Sequence, residues 1–190
     1  MRMSRRLATG LLLLLLLFPV PTAGEEEEPA QKRRMAEQLY NMGYLMGLLG
    51  RYDEAIRLFE RSLEVEPTAE AYTYLGWTYS HMGEYRRAIV EAEKAIRIDP
   101  DFGNPYNDIG VYLMEQGKDD EAVPYLERAM RAKRYCCYQF PHFNMGRIYL
   151  RKKLYAKARD EFQKSLAIDP DYAPARQALE LLKQYGVDEI

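Results

Sequence analysis

Gly43, Gly76, Gly110 and Gly146 each follow an apolar residue and stand 33, 34 and 36 positions apart. Each is answered 12 positions later by an alanine: Ala55, Ala88, Ala122 and Ala158. At 24 positions after the glycines stand Pro67, Pro100, Arg134 and Pro170. Self-similarity at such a period means a stack of short supersecondary units, none of which can bury its apolar face alone. That constraint sets aside most single-core folds before any element is assigned.

Each unit reads as a helical hairpin. In "AYTYLGWTYSHMGEYRRAIVEAEKAIRIDP", residues 71–100, Tyr72, Leu75, Gly76 and Tyr79 fall at i, i+3, i+4 and i+7, one face of a helix. Gly83 marks a stop, and Ala88, Ile89, Ala92, Ala95 and Ile96 form a second stripe at helical spacing. Asp99–Pro100 closes it, because proline cannot continue a helix. Gly76 and Ala88 are small where two antiparallel helices must approach closely.

These residues resemble the tetratricopeptide repeat, whose pattern is W-x2-L-G-x2-Y…A-x3-F…P. The second unit supplies Tyr72, Leu75, Gly76, Tyr79, Ala88, Ala92 and Pro100. The first supplies Leu39, Met42, Gly43, Met46, Ala55, Phe59 and Pro67, and the fourth His142, Met145, Gly146, Tyr149, Ala158, Phe162 and Pro170. The third keeps Tyr106, Ile109, Gly110, Leu113, Ala122 and Leu126 but has Arg134 for the proline. The resemblance implies an all-α solenoid of four hairpins over residues 36–68, 69–102, 103–138 and 139–172. Residues 173–190 follow as a capping helix and tail, with Ala175, Ala178, Leu179 and Leu182 facing inward, because the last unit needs a lid. Pro124 is placed near the first turn of its helix, where a missing N–H costs little.

The N-terminal segment follows another logic. Arg2, Arg5 and Arg6 precede an unbroken apolar run, Leu11–Phe18, and Pro19 and Pro21 lead to Thr22, Ala23 and Gly24. This is the layout of a secretory signal peptide over residues 1–24, too short in its apolar part for a membrane anchor. It predicts an exported protein, periplasmic or secreted, with no stable membrane span once cleaved. Residues 25–35, opening on Glu25–Glu28, read as a solvated, disordered acidic leader. The formal charge of −2 includes the three arginines, so without them it is −5. That balance argues against nucleic acid as a partner.

"RYCCYQFPHF", residues 134–143, is the irregular junction. Without a proline at 134, the preceding helix is expected to run on by part of a turn, and Pro141 to open the next. Cys136 and Cys137 are then either small apolar fillers of an altered corner packed with Tyr135, Tyr138, Phe140 and Phe143, or a redox pair. In an oxidising compartment they could close a vicinal disulfide or bridge two chains. Cys136, Cys137 and His142 give at most three ligands at no familiar spacing, so no metal is expected.

The resemblance further implies that the first helix of each hairpin lines a concave groove for a peptide or partner helix. The positions carried over are Tyr40, Tyr44 and Leu48, then Thr73, Tyr74, Trp77 and His81. Asn104, Asn107, Asp108, Val111 and Glu115 follow in the third unit, and Phe143, Asn144, Arg147 and Arg151 in the fourth. The groove would run from an aromatic end to a polar, partly basic one. Tyr40, Tyr44, Tyr74, Asn104 and Asp108 replace the lysine, asparagine and arginine of the family's dicarboxylate clamp, which should therefore be absent.

No glycine-rich phosphate loop, metal-binding helix motif or serine elbow occurs in the chain. The expectation is a non-enzymatic adaptor or scaffold binding a protein partner, without a cofactor, in assembly of an envelope or secreted complex. A self-associating structural subunit is the alternative. A thiol-dependent enzyme using Cys137 and His142 is the remote one.

Overall fold

The computed structural model describes residues 23–184, with side chains from Glu28 onward. The predicted signal segment therefore lies almost wholly outside the described residues. Nine α-helices are described: α1 Ala23–Leu48, α2 Tyr52–Val65, α3 Ala69–His81, α4 Tyr85–Ile98, α5 Asn104–Glu115, α6 Asp119–Arg131, α7 Gln139–Arg151, α8 Tyr155–Ile168 and α9 Ala173–Gln184. They form an all-α repeat of four antiparallel hairpins closed by α9. Each hairpin packs against the next through α2 on α3, α4 on α5, α6 on α7 and α8 on α9.

The recurring small residues allow this. A Cβ on Gly76 would stand 2.8 Å from the carbonyl oxygen of Ala88, so α3 and α4 touch through backbone. Backbone cannot rotate away as a side-chain end can. Gly76→Ala should therefore destabilise by roughly 1–3 kcal/mol, even though alanine favours helix by about 1 kcal/mol. Thermal melting would check it, and an unchanged or raised midpoint would refute the close approach. The turns between paired helices use Gly50, Gly83 and Gly117 at φ of 72°, 76° and 73°. In the fourth hairpin the corresponding turn has Lys153 at φ 58° instead.

The apolar core is a seam cut into linked patches. Ala55, Phe59, Leu75, Tyr79, Ala88 and Tyr112 join the first three hairpins. Ala92, Ile109, Leu113, Leu126, Met145 and Ile148 join the second to the fourth. Ala158 and Phe162 meet Ala175 and Leu182 of α9, while Arg176, Glu180, Lys183 and Gln184 face water.

Three local expectations are corrected. Residues 25–35 are helical, part of α1, although the side chains from Glu28 to Met35 are largely exposed. A helix nucleated on the packed half of α1 propagates cheaply into a solvated stretch, and Lys32 pairs with Glu28 one turn away. Pro124 stands not in the first turn of α6 but in its sixth residue. The third correction is at Arg134: α6 does not run on but stops at Arg131, and Ala132 is extended at φ −68°, ψ 135°.

Arg134 explains that stop. Its N–H donates to the Asp101 carbonyl at 2.9 Å, and its own carbonyl accepts from Gly103 N–H at 3.0 Å. Its guanidinium lies 3.8 Å over the Phe102 ring and pairs at 2.7 Å with both Asp99 and Glu70. The residue that replaces the proline thus ties the third corner to the second. Tyr135 packs where a Gly103 side chain would sit, and the Tyr138 hydroxyl donates to the Ala132 carbonyl at 2.6 Å. Cys136 and Cys137 are bonded to each other as a vicinal disulfide, with Cys136 exposed and Cys137 half-buried.

Candidate partner-binding groove

Successive odd-numbered helices contact one another, α1 with α3, α3 with α5 and α5 with α7. The odd helices thus form one layer of the stack, the layer to which the family resemblance assigns the groove.

At the N-terminal end this surface is aromatic. Tyr74 of α3 receives Tyr40 and Tyr44 of α1 edge-on, with centroids 5.6 and 5.0 Å away. Trp77 lies 6.3 Å from Tyr74 and 4.2 Å from His81, which stacks at 5.6 Å on Tyr52. Trp77 also covers Gly47, where a Cβ would meet its ring at 2.9 Å. Edge-to-face contacts add to burial, so these rings help to hold the first two hairpins together. They nevertheless stay open: Tyr40, Tyr74 and Trp77 are half-buried, His81 is exposed, and Tyr44 is 37% exposed. Burial lifts the hydroxyl pKa of Tyr40 and Tyr74 above the usual phenol value.

The far end is polar, but its charges are matched. Asn144 donates to the side-chain oxygen of Asn107 at 3.1 Å, both residues being buried. Arg147 donates to Asn144 and to Glu115, each at 3.3 Å. Arg151 grips Asp119 with two nitrogens, Nε at 2.8 Å, and Lys152 pairs with Asp120 beside it. The expected basic end is thus a row of ion pairs between the third and fourth hairpins. Phe143 is drawn toward the seam instead, 5.6 Å from Phe162 and 5.3 Å from Tyr172.

Asp108 lies between the two ends. It is half-buried on α5, and burial pushes its carboxyl up to about 7, with the Asn107 side-chain hydrogen bond acting in the opposite sense. Spacing alone marks Asp108 as a groove position; its desolvation comes from residues distant in sequence. The proposed thiol–imidazole couple is occupied elsewhere: Cys137 is in the disulfide, and His142 Nδ1 lies 2.7 Å from Glu161. Glu161 is desolvated, which raises its pKa, yet the bonds to His142 and Lys164 win and hold it low. Among the described residues, no group of three or more His, Cys, Asp or Glu side chains could hold a metal ion, and no helix is long and apolar enough to cross a membrane.

Comparison with known proteins places this architecture. Family models described as tetratricopeptide repeat match residues 34–101, 106–134 and 140–172. The chain is 28% identical over 131 residues to anaphase-promoting complex subunit 3 of Schizosaccharomyces pombe, covering 66% of this chain and 19% of that protein. It therefore spans less than a fifth of that curated relative. It is 27% identical over 207 residues to type IV pilus assembly protein PilF of Pseudomonas aeruginosa, covering 97% of this chain and 81% of the relative. Among solved structures, the type IV pilus biogenesis factor PilW superposes with a TM-score of 0.72 at 20% identity, over 79% of this chain and 69% of that one, a likeness of fold. With three matched stretches spread over four hairpins, the chain belongs to the tetratricopeptide repeat family.

Proposed function

We propose that the chain is a non-enzymatic adaptor that holds a segment of another protein in its concave groove during assembly of an envelope or exported complex. The half-open aromatic stripe Tyr40, Tyr44, Tyr74, Trp77 and His81 carries this reading. Tyrosine and tryptophan are the usual anchors of binding surfaces, and Tyr44 is 37% exposed on this stripe. The likeness to a pilus assembly protein over nearly the whole chain supports the assembly role, and the signal-like N-terminus supports export.

The test is a pull-down from the exported fraction with wild type and a Tyr44→Ala/Trp77→Ala double variant. A partner retained by the first should be lost from the second, with helical circular dichroism near wild type. Tyr44→Ala alone, at an exposed ring, should weaken binding at least several-fold while costing no more than about 1.5 kcal/mol of stability, the lost edge contact with Tyr74. Equal retention by both variants would refute the groove as the site.

A second reading rests on α1. Met35, Met42 and Leu45 are between 49% and 53% exposed along one side of it, and Leu49, 61% exposed, stands just past its end. Such a stripe suits self-association through the open end of the stack. Light scattering across a concentration series separates the two: a constant monomer mass excludes the self-associating subunit.

A further inference from the structure

One acidic group of the groove has no counter-charge among the described residues. Asp108 lies within electrostatic reach of Tyr74 on α3, of Tyr112 one turn further along α5, and of Tyr135 in the third corner. All three are phenols, whose burial keeps them neutral well past physiological pH. The groove's own cations are committed elsewhere, Arg147 to Glu115 and Asn144 on the α7 side, and Arg151 to Asp119. Only the neighbouring Asn107 side chain helps the carboxylate to stay charged.

A half-buried carboxylate without a counter-ion costs stability, and a fold retains one most readily where something else supplies the cation. The groove surface beside it is aromatic, which suits the methylene stem and the charged head of a long basic side chain. We propose that Asp108 is the seat for a lysine or arginine side chain of the bound segment, with the Tyr74 ring alongside and the Tyr44–Trp77 stripe taking an apolar residue next to it. This rests on the groove being the binding site and adds what it selects: a segment pairing a basic residue with an apolar one, not an acidic tail. The carboxyl's titration near 7 fits, since a cation arriving from the partner favours the charged form.

The test is selection of random dodecapeptides displayed on phage, at pH 8, against the whole chain, Asp108→Asn, and the Tyr44→Ala/Trp77→Ala variant. Wild type should enrich Lys or Arg at a fixed offset from an aromatic or aliphatic residue. The basic preference should be roughly tenfold, the size expected of one partly desolvated charge pair. Asp108→Asn should lose the basic preference while keeping the apolar one, with unchanged helical circular dichroism. An equal basic preference on Asp108→Asn overturns the proposal, as does an acidic or purely apolar consensus on wild type. No enrichment on wild type, or the same consensus on the Tyr44/Trp77 variant, overturns the groove reading and this inference with it.

Discussion

Phe162→Ala should cost roughly 3–5 kcal/mol, and the loss should be felt at one end of the molecule only. Phe162 is fully buried, and its ring sits where a Gly146 side chain would otherwise be: a Cβ there would stand 2.5 Å from a ring carbon. It also meets Phe143 at 5.6 Å and belongs to the patch that seats Ala175 and Leu182 of α9. Truncation therefore opens a cavity touching α7, α8 and α9 together. Gly146, having no side chain, cannot fill it.

The locality follows from the architecture. Contacts run between successive hairpins, so stability is close to a sum of unit and neighbour terms, and a lesion propagates poorly. Hydrogen exchange on the variant should show α8 and α9 losing protection while α2 and α3 retain it. Uniform loss across all nine helices would mean the stack behaves as one cooperative body, and the segmented seam would be the wrong description. Serine hydroxyls spanning each outer hairpin point the same way. Ser62 donates to the Ala36 carbonyl at 2.7 Å and Ser165 to the Gln139 carbonyl at 2.9 Å, each bond staying within its own unit.

The fold is legible in the sequence because close packing leaves a periodic trace. Gly76 faces backbone, and at Gly43, Gly110 and Gly146 the space of a Cβ is taken by the side chains of Phe59, Leu126 and Phe162. The aromatic cluster is legible in part for the same reason, since Tyr44 and Trp77 each stand one position after their glycine. The polar end is not. Arg147 and Arg151 look like free cations until Glu115 and Asp119, each 32 residues away, are brought beside them. Arg134 reads as a missing proline, whereas its contacts to Glu70 and Asp99 lie 64 and 35 residues back. The acidic stretch before Met35 misleads differently: its composition cannot nucleate a helix, but it can extend one.

Stability should fall as pH rises from about 4 to about 7, by an amount that Asp108→Asn removes. In the folded chain the Asp108 carboxyl is pushed up to about 7 by burial, whereas an unfolded aspartate titrates near 4. Between those values the folded state holds a proton that the unfolded state has released. Stability therefore decreases with pH across this window and levels off above it. Taken in full, a shift of this size is worth about 4 kcal/mol; because the residue is half-buried and not enclosed, roughly 2 kcal/mol is the better expectation. Glu161 acts in the opposite direction and at the acid end of this window: its depressed pKa withdraws stability as the solution is acidified. The informative quantity is therefore the difference between wild type and Asp108→Asn in urea melts at pH 5 and pH 8. Asp108→Asn should be the more stable protein at pH 8 by that amount, and its advantage should shrink toward zero as pH approaches 4. Parallel profiles would show that the carboxyl is solvated like any surface aspartate, and the argument for a cation seated on it would lose its energetic basis. A basic segment bound in the groove should stabilise wild type at pH 8 more than it stabilises Asp108→Asn, because only the charged carboxylate gains from the pairing.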